Sequence, residues 1–331
     1  MLRQVKKEII NTKKGFDQKM NKTPNTEPLD ANAYTRHSGI ATFFRLPYIT
    51  DPTRIDIAIL GIPFDGCSAY RAGSRMAPRE IRCMSAGVRP YNDALKLNPF
   101  KKHRIGDYGD LSTDPYSIEN TFERIESGLD LLMDSGVVPV SIGGDHSITY
   151  PILKSLAKKH GPLALVDIDA HPDTCDSQAG HRFGNGTPFR RALEDNLIIA
   201  SKVIQVGIRG TAFYKGDTDY GRKKGFNVWQ AEDFMSLSIT DFKSEVHKII
   251  GNTKCYLSFD IDSLDPSVAP GTNTPEIGGL SGLQGLQIIR SLAGLRLVGA
   301  DIVEVSPPLD TISRITSITA AQLLYEIICV I

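Results

Sequence analysis

Apolar residues recur along this chain in two rhythms. Residues 137–142 and 163–168 are short continuous apolar runs, as expected of strands covered on both faces. Residues 117–135 instead carry Ile118, Phe122, Ile125, Leu129 and Leu132 at helical spacing, with Gly136 as the stop. The pattern predicts further strands at 55–61, 203–208, 256–259 and 297–305. It predicts helices at 77–84, 148–159, 244–250, 282–292 and 319–329, the first opened by Pro78, which suits a first-turn position. Strands alternating with helices imply an α/β fold of three layers, α/β/α, with a mainly parallel central sheet. Neither an internal repeat nor a low-complexity linker interrupts the pattern. We divide the chain into a polar N-terminal extension, residues 1–35, and one domain, residues 36–331.

Composition narrows the partners. The chain has 331 residues, 41% hydrophobic and 23% charged, with Lys+Arg and Asp+Glu both at 38. No net field points to nucleic acid or to an anionic membrane. No apolar run reaches the roughly 20 residues of a spanning helix. Cys67, Cys83, Cys175, Cys255 and Cys329 are scattered, odd in number and lack a CxxC pair, which fits a reducing compartment. Cys175 lies close to the acidic motifs described next. Arg3, Lys6, Lys7, Lys13, Lys14, Lys19 and Lys22 outnumber Glu8 and Asp17 at the start of the chain. We read this stretch as a solvated tail on a cytoplasmic protein. A mitochondrial address is the alternative, although such peptides favour Arg and avoid acids.

Three short stretches concentrate the chemistry. They are Gly143-Gly144-Asp145-His146-Ser147, Asp167-Ile168-Asp169-Ala170-His171-Pro172-Asp173 and Ser258-Phe259-Asp260-Ile261-Asp262. His146, Asp169, His171, Asp173, Asp260 and Asp262 make two imidazoles and four carboxylates, a set suited to two divalent ions of intermediate hardness. Four carboxylates in one place repel unless cations hold them. Each stretch lies at the end of a predicted strand, Glu304 ends the strand at 297–305, and open parallel sheets form sites at strand carboxyl ends. On extended chain, residues at i, i+2 and i+4 share a face, so each motif is expected to project its ligands together. The competing account, in which these acids only cap helices and turns, fits poorly with Asp260 and Asp262 following an apolar run.

These stretches, with Ser263-Leu264-Asp265-Pro266 and Ala269-Pro270-Gly271-Thr272, resemble the three signatures of the ureohydrolase family, the arginase and agmatinase superfamily of dinuclear manganese enzymes. The resemblance runs from about residue 39 to the C-terminus. Tyr70-Arg71-Ala72-Gly73, Gly186-Thr187-Pro188-Phe189-Arg190-Arg191 and Val303-Glu304-Val305-Ser306-Pro307-Pro308 resemble the agmatinase and guanidinobutyrase branch more than arginase proper. The resemblance implies that Asp169 and Asp260 bridge two divalent ions. His146 and Asp173 then complete one position, and His171 and Asp262 the other. Mn²⁺ is the default metal and Ni²⁺ the alternative. It implies attack of ion-activated water on a guanidinium carbon, proton transfer by Asp173, and binding of the small cationic substrate by Glu304 and Thr274. Agmatine, guanidinobutyrate, guanidinopropionate, guanidine and alkylguanidines are the candidate substrates. It also implies a homo-oligomer, trimer or hexamer, in which residues 25–50 are a candidate wrapping segment.

Three positions depart from the family pattern. Asn185 stands where a histidine usually precedes Gly-Thr-Pro-Phe, and an amide cannot titrate near neutrality. Three readings stay open: Asn185 reshapes the pocket, nearby His181 carries the proton traffic, or the chain is a supporting subunit in a hetero-oligomer with a catalytic relative. Pro172 stiffens the loop between two ligands. Asn273 replaces a usual glycine, as the least costly substitute at positive φ or as an amide donor to the pocket. A deacylase holding one zinc is the rival chemistry, but it needs fewer ligands than are present. A nucleotide-binding reading of Gly278-Gly279-Leu280-Ser281-Gly282 lacks the phosphate-loop lysine.

Overall fold

The computed structural model describes residues 26–331 apart from 69, 213 and 214. The basic stretch at residues 3–22 lies outside the described residues. Eight strands form one sheet: β1 Ile57–Gly61, β2 Ile105–Asp110, β3 Val138–Ile142, β4 Leu163–Ile168, β5 Ile198–Ile208, β6 Asn227–Gln230, β7 Lys254–Asp260 and β8 Arg296–Val303. Their order is β2-β1-β3-β8-β7-β4-β5-β6, and every pairing between them is parallel. Parallel neighbours need crossovers, and helices supply them on both faces.

Two apolar cores result, one on each side of the sheet. Ile125, Leu129 and Leu132 of helix Ile118–Asp134 pack with Ile152, Leu153 and Leu156 of helix Thr149–His160 on one face. Val246 and Ile250, Ile288 and Ile289, and Leu324 and Ile328 fill the other, from helices Ile239–Ile250, Gly282–Ser291 and Ile315–Val330. The three-layer expectation therefore holds. So do the predicted strands and long helices, within a few residues at most ends and with longer starts at β5, Ile239–Ile250 and Ile315–Val330.

The spacing did not reveal β2, β6 or the short helix Pro188–Glu194. Both strands are the outermost of the sheet, and among the described residues β2 is bridged on its outer side only at Tyr48. β2 reads Ile-Gly-Asp-Tyr-Gly-Asp and β6 reads Asn-Val-Trp-Gln, so neither has a continuous apolar run. At the N-terminal end, Leu29 N–H bonds the Arg45 carbonyl and the Arg45 guanidinium bonds the Tyr34 carbonyl. No helix among the described residues is long and apolar enough to cross a membrane.

Candidate metal centre

β3, β8, β7 and β4 are the four adjacent central strands, and each delivers one motif from its carboxyl end. β3 runs into Gly143 and Gly144. A Cβ at Gly144 would lie 1.6 Å from the Phe64 carbonyl oxygen, so only glycine fits there. The close approach lets Asp145 N–H bond that carbonyl at 2.9 Å and places His146 next in the chain at the cleft floor. β4 stops just before Asp169, β7 ends on Asp260, and β8 stops just before Glu304.

The ligands converge by turning, not by the extended-chain pleat that their spacing predicts. Asp169 Oδ1 accepts the N–H of His171 at 2.6 Å, and Asp260 Oδ1 accepts that of Asp262 at 2.8 Å. Asp145 does the same for Ser147 at 3.0 Å. An aspartate that bonds the main chain two residues on closes an Asx turn, so the chain folds back at each motif. Asp262 thus lies in the 3₁₀ turn Ile261–Ser263. Asp173 and Glu304 have φ of 45° and 61°, in the left-handed region. Such strain costs on the order of 1–3 kcal/mol per residue and clusters at functional sites.

The resulting distances are short. His146 Nδ1 lies 2.9 Å from Asp173 Oδ2, 3.2 Å from Asp169 Oδ2 and 3.4 Å from Asp260 Oδ2. His171 Nδ1 lies 3.1 Å from Asp262 Oδ2 and 3.6 Å from Asp169 Oδ1. Asp169 therefore shows one oxygen to each imidazole. Two donor groups follow, His146–Asp169–Asp260 and Asp169–His171–Asp262, each with its ligand atoms within 4.8 Å of one another. The first is fully buried, whereas the His171 side chain is 29% exposed, so the second group opens to solvent.

The donor set fits cations. His146 Nε2 faces Ser258 Oγ at 2.9 Å, and the Ser258 hydroxyl donates to Asp301 Oδ1 at 2.7 Å. With its proton spent on Asp301, Ser258 accepts from Nε2–H. Nδ1 is left facing the carboxylate oxygens of Asp169, Asp173 and Asp260, a buried position that a proton or a cation would satisfy. An imidazole oriented by a hydroxyl and a carboxylate behind it is how proteins present a ligand to a metal. Asp301 also accepts from Thr149 Oγ1 and the Tyr256 hydroxyl, so this support is itself fixed.

Electrostatics point the same way. Burial, then Asp262 and Asp169, hold the Asp260 carboxyl well above the usual range. Burial and Asp169 push Asp173 up to about 6. Burial pulls His146 down, but hydrogen bonds to Asp169, Asp173 and Asp260 outweigh it and hold the imidazole well above its ordinary value. The cluster demands positive charge, as protons or as cations.

Of the other residues singled out in the sequence, Asn185, Glu304 and Thr274 stand against the cluster. Glu304 Oε1 accepts the N–H of His146 at 3.0 Å and the Asn185 amide at 3.1 Å. Thr274 Oγ1 donates to Asp262 Oδ2 at 3.3 Å. Asn273 is fully buried. Its Oδ1 takes the Arg71 N–H at 2.6 Å, which ties the 70–73 loop to the rim. His181 is not brought into this group. It is exposed and pairs through its main chain with Gln178, across a turn in which Ala179 and Gly180 both have positive φ. The Arg209 guanidinium bonds the carbonyls of Asp262 and Glu276 at 2.8 and 2.7 Å, bolting the turn that carries Asp262 to the neighbouring loop.

Sequence reasoning missed Asp301, the supporting role of Ser258, and Gln178. A lone aspartate inside the apolar run of β8 was a signal for Asp301. Nothing in the sequence singled out Gln178.

The arginase family profile matches residues 55–329. A guanidinobutyrase of Pseudomonas aeruginosa is 43% identical over 308 residues, covering 92% of this chain and 96% of that one. A mitochondrial agmatinase of Gallus gallus is 42% identical over 304 residues, covering 92% and 89%. The solved proclavaminate amidino hydrolase of Streptomyces clavuligerus superposes with a TM-score of 0.85 at 36% identity, covering 89% of this chain and 99% of that one.

Proposed function

This chain belongs to the arginase family, and from that premise we propose that it hydrolyses a linear guanidino compound to urea and an amine. In this reading His146 and Asp173 would hold one divalent cation and His171 and Asp262 the other, and Asp169 and Asp260 would serve both. The single observation that carries it is Asp169, whose two oxygens face different imidazoles. Imidazole and carboxylate suit Mn²⁺, our first choice, and also Ni²⁺. Bound there, the cations supply Lewis-acid charge and draw the pKa of water down toward ~7.

Glu304 receives the guanidinium. Its Oε1 is taken by His146 and Asn185, while Oε2 is buried and unpartnered. A cationic N–H satisfies that oxygen with a charge-assisted hydrogen bond. Burial and Asp145 push Glu304 up to about 8, and an adjacent guanidinium favours its ionised form. Thr274 lines the same space. Hydrolysis forms a bond from the water oxygen to the guanidinium carbon and breaks the bond to the leaving nitrogen, which must gain a proton. Asp173, beside His146 at 2.9 Å, is the carboxylate we assign to pass that proton. Asn185 cannot titrate, so it orients instead.

The relatives named as a guanidinobutyrase and an agmatinase support the reaction class. The candidate substrates are 4-guanidinobutyrate, 3-guanidinopropionate, agmatine, guanidine and alkylguanidines. The test is to load the chain separately with Mn²⁺ and Ni²⁺ and measure urea release from each. Urea from at least one is expected, and none with either metal bound overturns the reading. One metal per chain with amide hydrolysis instead would favour the single-zinc deacylase. The same reading carries one domain over residues 36–331, a homo-trimer or homo-hexamer and a cytoplasmic setting. Light scattering and fractionation of cells check the last two.

A further inference from the structure

We infer that Gln178 is a positioning residue that sets how Asn185 and Glu304 hold the guanidinium, and this rests on the function proposed above. The argument is one of hydrogen-bond direction. The N–H of Gly186 can only donate, and it lies 2.9 Å from Gln178 Oε1. That contact fixes the Gln178 amide, so its Nε2 must face Asn185 Oδ1, at 3.0 Å. An oxygen that accepts from Gln178 leaves the Asn185 nitrogen to face Glu304 Oε1, at 3.1 Å. A main-chain donor thus orients two amides in series and one carboxylate.

Local structure is shaped for this contact. A Cβ at Gly184 would lie 2.1 Å from Gln178 Oε1, and one at Gly186 would lie 3.1 Å from Nε2, so the loop keeps glycine on both sides of Asn185. Gln178 is held from behind by its two main-chain bonds to His181, at 3.0 and 2.8 Å. The consequence is at Glu304. With Oε1 doubly engaged, the carboxylate cannot rotate, and its buried, unpartnered Oε2 is the atom left for a cation. Gln178 does not touch the metal ligands in this account, and acts only through Asn185.

The test compares Gln178→Glu with Gln178→Met in the metal-loaded chain. In Gln178→Glu one oxygen keeps the Gly186 N–H and the other meets Asn185 Oδ1, acceptor against acceptor. The Asn185 amide then flips and turns its oxygen on Glu304. Gln178→Met removes the bond without that repulsion. The expected order of KM is Gln178→Glu above Gln178→Met above wild type, with about a tenfold rise for the first and a few-fold rise for the second. The turnover number should stay within about twofold, because binding lost equally from ground and transition states raises KM alone. Metal content and Tm should match wild type in Gln178→Met. Equal KM in all three proteins, or a loss of metal that tracks the loss of activity, overturns the inference. Should wild type release no urea, its affinity for guanidinium chloride by calorimetry replaces KM in the same comparison. Equal affinities overturn the inference, and no guanidinium binding at all overturns it together with the proposed function.

Discussion

The floor of this cleft and its wall follow different rules. The floor is charged, buried except at His171 and built from the ends of four adjacent central strands. Asp169 and Asp260 are held by turns, and His146 by Ser258 and Asp301 behind it. The wall is carried on loops. Its contacts run through amides, Gln178 to Asn185 and Asn273 to Arg71. Floor chemistry therefore depends on the sheet, whereas the wall can be remodelled without moving a strand. Relatives named for different guanidino substrates at similar identity are what such a division would produce.

The largest effect expected comes from breaking the floor. Asp169→Asn removes charge from a carboxylate whose two oxygens face different imidazoles, one in each donor group. Urea release should fall by about 10³-fold or more, since the bound cations supply the reactive water, and elemental analysis should find less than the wild-type metal content. Retention of both metal and activity would remove the distinction between floor and wall.

Asp301→Asn reaches the floor from behind. Loss of a group supporting a metal-ligating histidine typically costs about 10–100-fold in metal affinity. Competition with a metal-binding dye should show that loss, while KM at saturating metal stays unchanged. A raised KM with unaltered affinity would place Asp301 in the wall's business instead.

Metal removal should reveal the repulsion stored in the floor. Without cations, Asp173 and Asp145 are each pushed by burial to about 6, and Glu304 to about 8. A carboxyl whose folded pKa exceeds its unfolded value favours folding in its protonated form. Its contribution is full below the unfolded value near 4 and is lost as pH rises through the folded value. The metal-free chain should therefore lose stability from about pH 4 to 8, in two overlapping steps. Mn²⁺ at a hundredfold excess over its Kd should restore about 3 kcal/mol. Calorimetric melts of both forms should diverge as pH rises, and parallel curves would contradict the buried-charge account.

The smallest effects belong to the wall. Asn185→His should change KM and the ranking of guanidino substrates but leave metal content alone. Asn273→Gly removes one hydrogen bond to the Arg71 main chain and should raise KM by a few-fold, about 1 kcal/mol. Steady-state kinetics on both variants, with unchanged kinetics from Asn185→His, would show that the wall does not set specificity.

The same contrast explains what was legible in the sequence. Central strands are covered on both faces, so β3 and β4 stand out as apolar runs, and a charged residue just after one is conspicuous. The floor residues were found for that reason. Their geometry was misjudged, because spacing alone does not distinguish a pleat from an Asx turn, and the positive φ of Asp173 and Glu304 leaves no mark in composition. Wall residues were harder. Asn185 drew notice only by departing from a family pattern. Gln178 is an ordinary polar residue in a polar loop, and its partnership with Asn185 depends on a tight turn at Ala179 and Gly180. Edge strands β2 and β6 escaped because their short sequences carry no continuous apolar run.

Anomalous scattering at the manganese edge, from crystals of the Mn²⁺-loaded chain, tests the central claim most directly. The account predicts two ions per chain, one beside His146 and one beside His171, with an oxygen of Asp169 on each. A single ion, or two that share no carboxylate from Asp169, would contradict it.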